Sequence, residues 1–120
     1  VAVVISRRDR VRQDEADPQR TYGEVGGSGQ YDSDRGVWPA GADVRANARY
    51  AIVAVDSTVR RVYEIDGWAP RAGKWEFTAA GGRELTVGEI ETAYSAGDLP
   101  LRPGDDCPTR RGGAYRPHRF

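Results

Sequence analysis

The side chains best equipped for chemistry lie close together: Arg60, Arg61, Tyr63, Trp68 and Trp75, followed near the end of the chain by Arg110, Arg111, Arg116 and Arg119. Aromatic planes stack on unpaired bases while guanidinium groups neutralise phosphate, a combination used by single-strand and flipped-base binders. On that reasoning Tyr63, Trp68, Trp38, Arg60 and Arg61 form the expected ligand-binding set. Arg110, Arg111, Arg116 and Arg119 are the expected nucleic-acid contacts. The competing reading is structural, because tryptophans in a sheet-based domain usually belong to the core and an arginine on an outer face mostly solvates it.

Other chemistries lack parts. Cys107 and the one histidine, His118, are the available nucleophile and base, and a thiolate needs an imidazole or a cation nearby to lower its pKa. Both sit in a proline-rich stretch, and nothing in the pattern brings them together. A zinc site would draw its remaining ligands from carboxylates and has none of the usual spacing. Glu64 and Asp66, near Trp68, are the best carboxylate pair for acid–base work, ahead of Asp105 with Asp106 and Glu89 with Glu91. A solvated sheet face and a turn account for them more simply. The glycines of residues 23–29, GEVGGSG, match neither the phosphate-loop nor the dinucleotide-binding spacing, so a flexible linker explains them. The pattern therefore predicts no catalytic residue, no metal and no cofactor, and leans away from an enzyme.

Composition limits the partners. Eighteen basic residues balance eighteen acidic ones, so no global field draws the chain to nucleic acid or membrane, and any electrostatic site is local. Lys74 is the only lysine; codon bias explains the arginine excess more economically than a surface selected for bidentate anion contacts. Cys107 has no second cysteine to pair with, and the early apolar run VAVVI is far too short to span a membrane. The expectation is a cytoplasmic protein without a membrane partner. A chain of 120 residues with 38% apolar content predicts a single domain over 1–120. A mean hydropathy of −0.68, 15 glycines and 7 prolines place much of it in loops.

The elements that must position these residues centre on 48–77. Residues 1–5 read as a buried strand inside the main sheet. Residues 7–35 have no apolar period and read as a mobile arm or lid. Trp38 is expected against the sheet, followed by one or two helical turns from about Gly41. Residues 49–55 are almost wholly apolar, as in a strand covered on both faces. Residues 59–65 form its partner, with Val59, Arg61, Tyr63 and Ile65 on one face and Arg60, Val62 and Glu64 on the other. Asp66-Gly67 reads as a break, after which 74–78 forms an aromatic strand completing an antiparallel meander. Thr86 and Glu89 have capping-box spacing and predict a helix over 87–95, with Val87, Ile90, Ala93 and Tyr94 on its apolar face and Gly97 as its stop. The tail, with prolines at 100, 103, 108 and 117, is at most an extended edge segment.

The succession of Arg35, Gly36 and Trp38, the run 48–55, VRRVYEIDGW at 59–68, then Gly73, Trp75 and Phe77, and finally Arg110 to Gly112 with Pro117, Arg119 and Phe120, resembles a small uncharacterised bacterial domain family. The paired strands around VRRVYEI are more weakly similar to PUA-like domains, including the EVE and ASCH types. That resemblance implies an α+β fold, a small mostly antiparallel β-barrel with one or two short helices and long polar loops. It also implies a pocket at the barrel mouth that holds a base. The functional expectation is a non-catalytic binding module recognising a nucleobase, RNA or DNA through aromatic and arginine side chains. The alternative is a small-molecule-binding or protein-interaction domain with an apolar pocket.

Overall fold

The computed structural model describes residues 2–7, 31, 34–107 and 115–118. They form β1 (Ala2–Arg7), α1 (Ala42–Asn47), β2 (Tyr50–Val55), β3 (Thr58–Arg71), β4 (Lys74–Ala79), a 3-10 turn (Ala80–Gly82), α2 (Val87–Ser95) and β5 (Tyr115–His118). The strands make one mixed sheet in the order β4-β3-β2-β1-β5. β1 and β2 run parallel, while the other three pairings are antiparallel. Among the described residues β4 and β5 end the sheet without pairing to each other, so in place of the expected barrel the strands form an open, curled sheet within a small α+β fold.

The two central strands explain themselves from composition. Ala2 to Ile5 and Ala51 to Ala54 are wholly buried, which a continuous apolar run tolerates only when both sheet faces are covered. One face carries Val4, Tyr50, Ile52, Val59 and Val62 against Leu85, Ile90, Ala93 and Leu99, so α2 and the chain after it are its lid. The other carries Val3, Ile5, Ala51, Val53, Tyr63 and Phe77 against Trp38, Ala40 and Val44, so α1 and the segment before it cover that side. Val87, expected on the buried face of α2, is instead 79% exposed. It occupies the first turn, and only Ile90 and Ala93 of this helix are buried.

β3 departs furthest from the sequence reading. Val53 lies opposite Arg61 and Ala54 opposite Val59, so Arg60 is the extra residue of a bulge. A bulge shifts the alternation by one, and Val59 consequently shares a face with Val62 rather than with Arg61 and Tyr63. Asp66-Gly67 does not break the strand either. A second register shift between Ile65 and Gly67 absorbs it, and the reversal comes at Ala72 and Gly73, with φ of 49° and 78°, both positive as a two-residue hairpin turn requires. The first half of β3 pairs with β2 and the second with β4. Beyond β2, Val59 bonds the main chain of Asp105 and Gly104, and Val62 that of Leu85. Of the expected arm at 7–35, Arg7 ends β1 and Tyr31, Asp34 and Arg35 pack near the sheet; the remainder lies outside the described residues.

Candidate ligand-binding site

Arg61 and Tyr63 share the face their spacing predicts, and both turn into the core. Their partner is Asp34, which is completely buried. The Arg61 Nε donates to Asp34 Oδ2 at 2.7 Å and Nη2 to Oδ1 at 3.2 Å, and the Tyr63 hydroxyl donates to Oδ2 at 2.8 Å. A buried carboxylate is tolerable only when paired and hydrogen-bonded in this way. Burial, together with the Asp34 charge and hydrogen bond, pushes the Tyr63 hydroxyl far above its usual pKa, so it remains a neutral donor. Trp38 closes the cluster, its indole N–H donating to the Asp34 carbonyl at 2.9 Å.

The approach of this segment to β4 depends on a glycine. Trp38 and Trp75 exchange both main-chain hydrogen bonds, and Phe77 N donates to Arg35 O. A Cβ at Gly36 would stand 2.7 Å from the Glu76 Cβ, closer than side chains allow, so only glycine lets the two chains meet. Residues 35–38 thereby cover the outer edge of β4 and deliver Asp34 to Arg61.

Next to this sealed cluster is an aromatic group that is less closed. The rings of Tyr31, Tyr63 and Phe77 pack at centroid distances of 5.6 to 6.5 Å, and Trp68 meets Phe77 edge-on at 6.0 Å. Tyr31 is fixed by accepting the Ala79 N–H at its hydroxyl, 2.9 Å away. Trp68 is only half-buried as a residue, yet its indole N–H is buried and has no hydrogen-bond acceptor among the described residues. Trp75, also half-buried, carries the Arg45 guanidinium on its ring at 3.8 Å.

The expected ligand-binding set therefore separates. Arg61, Tyr63 and Trp38 stand inside the molecule around Asp34, Trp68 lies at its margin, and Arg60 is exposed at the bulge. A strand rises about 3.3 Å per residue, so Arg60 and Trp68 stand roughly 25 Å apart along β3 and cannot grip one small ligand. Arg116 is on edge strand β5, opposite Val4; Arg110, Arg111 and Arg119 lie outside the described residues. Several other arginines meet carboxylates, as Arg49 with Asp98, Arg71 with Glu76, Arg83 with Glu89 and Arg102 with Glu91. Glu64 is half-buried opposite Tyr50, and Asp66 is exposed at the second bulge. Cys107 is buried in the α2-side core, whereas His118 belongs to β5.

Sequence reasoning missed Asp34, which lies in a polar stretch without periodicity. The available signal was Arg61 itself: an arginine sharing a strand face with Tyr63 and Ile65 needs a buried carboxylate from elsewhere in the chain. Among the described residues no group of three or more His, Cys, Asp or Glu could hold a metal ion, and no helix is long and apolar enough to cross a membrane. No family model, no curated protein and no solved structure matches the chain.

Proposed function

We propose that the protein is a non-catalytic binding module that takes a nucleobase-bearing ligand beside Trp68. The observation that carries this reading is the indole N–H of Trp68, buried without an acceptor among the described residues, on a residue that still reaches solvent. Leaving a buried donor unsatisfied costs about 1–3 kcal/mol, and such groups are few in native proteins. A carbonyl oxygen or ring nitrogen of a ligand supplies the missing acceptor, after displacing part of the cover over the indole edge. Trp68 meets the Phe77 ring, which in turn packs on Tyr31, an apolar setting suited to a planar molecule.

The internal pairing of arginines favours an uncharged ring over a polyanion, which makes a neutral small molecule the second reading. The test follows the indole N–H resonance that disappears in Trp68→Phe while nucleosides and a short single-stranded oligonucleotide are added. The expected result is a saturable shift of that resonance at millimolar nucleoside or below, little changed by salt. Salt-sensitive binding of the oligonucleotide alone would move the site to the basic tail. No movement of the resonance with any of these ligands would overturn the proposal.

A further inference from the structure

The main chain at Trp68 offers a second recognition element. Trp75 and Phe77 spend their main-chain hydrogen bonds outward, on Trp38 and Arg35. Peptide groups along an antiparallel strand point alternately to its two sides. The residues opposite Trp75 and Phe77, which are Pro70 and Trp68, must therefore turn their own peptide groups away from β4. β2 does not reach them: its pairing with β3 starts at Tyr50 opposite Glu64, with one further bond from Ile65 N to Arg49 O at 2.7 Å. Among the described residues the outer half of β3 thus has an open edge. On it Trp68 presents its N–H and C=O side by side, with no partner among the described residues, and Pro70 presents a carbonyl alone.

We infer that this edge reads a cyclic amide, a ring whose adjacent C=O and N–H accept from the Trp68 N–H and donate to the Trp68 C=O, as the uracil ring can. This rests on the proposed binding beside Trp68 and specifies its ligand. In an antiparallel ladder a residue so placed exchanges both bonds with one residue of the next strand, and a ring amide is the smallest fragment that can do the same. An added strand is a poorer occupant, because it requires donors at alternate residues of the edge and Pro70 has none. The donors and acceptors of a heterocycle need only the single residue that the edge supplies. The indole N–H belongs to the side chain and the peptide groups to the strand edge, so the two contacts report independently.

The experiment compares uridine with 3-methyluridine, in which a methyl group replaces the donor and leaves the ring otherwise alike. Protein labelled with nitrogen-15 at tryptophan gives separate main-chain and indole signals, and those of Trp68 are identified by their loss in Trp68→Phe. Uridine is expected to shift the Trp68 main-chain amide downfield and to bind about tenfold or more tightly than 3-methyluridine, since the methylated ring leaves the Trp68 carbonyl unpaired. Equal shifts of the indole signal by both nucleosides, with the main-chain amide unmoved, would overturn the edge contact and leave the binding proposal standing. If neither Trp68 signal responds to either nucleoside, both fall. A main-chain shift that follows protein concentration, with doubling of mass, would assign the edge to a second copy and overturn the inference.

Discussion

Asp34 concentrates the electrostatics of the core on one carboxylate. It receives two bonds from Arg61 and one from Tyr63 while wholly out of water. Breaking a buried pair is costly because the surviving charge keeps its desolvation penalty without its partner. Asp34→Ala is therefore expected to lower stability by about 3–5 kcal/mol, read as a fall in the urea midpoint. Asp34→Leu combined with Arg61→Met and Tyr63→Phe should recover most of that loss, since an apolar cluster of similar size carries no such penalty and no buried hydroxyl is left without its acceptor. A single substitution that costs less than about 1 kcal/mol would show that water reaches this pair. The sequence made Arg61 and Tyr63 conspicuous and placed them on one face correctly. It could not reveal that they face inward, because their partner is far away in the chain and lies among charged and glycine residues that carry no period.

At the scale of elements, legibility follows how local the determinant is. The capping box of α2 is complete within four positions: Thr86 Oγ1 accepts from Glu89 N, and Glu89 Oε1 accepts from Thr86 N. The helix consequently spans Val87–Ser95 as its sequence predicts. β3 was less legible because a bulge is set by the partner strand: an extra residue at Arg60 leaves apolar valines at 59 and 62 under either register. Gly67, which reads as a turn, serves the second bulge instead. The local device can be tested by pH. The Arg83 hydrogen bond, followed by the bonds from Thr86, holds the Glu89 carboxyl down to about 2, below its ordinary 4.5. A depressed carboxyl contributes stability that is fully present above its unfolded pKa and is lost as pH falls through its folded one. The thermal midpoint of the wild type should therefore contain a component that declines between pH 4.5 and 2 and is missing from Glu89→Gln. Parallel midpoint curves for the two proteins would show that the cap contributes nothing measurable.

For the whole molecule, the decisive property is how the sheet ends. Both faces are covered, by α2 on one side and by α1 with the segment around Trp38 on the other, so the remaining hazard is edge-to-edge addition. Residues 35–38 pair with the outer side of β4, which leaves the outer half of β3, among the described residues, open where β2 has ended. Pro70 stands on that open edge. Its ring nitrogen, opposite Trp75 and turned from β4, interrupts the row of donors that an incoming strand would use, and its cost to the native ladder is nil because that position makes no bond to β4. Pro70→Thr restores the missing N–H and adds a β-branched residue, which favours a strand. This variant is expected to retain the fold and to self-associate at protein concentrations where the wild type does not, giving a concentration-dependent mass in sedimentation equilibrium. The association should disappear when a lysine replaces the threonine, since charge at an edge opposes pairing between identical copies. An unchanged mass for Pro70→Thr up to millimolar protein would mean that the curl of the sheet, rather than the proline, protects this edge.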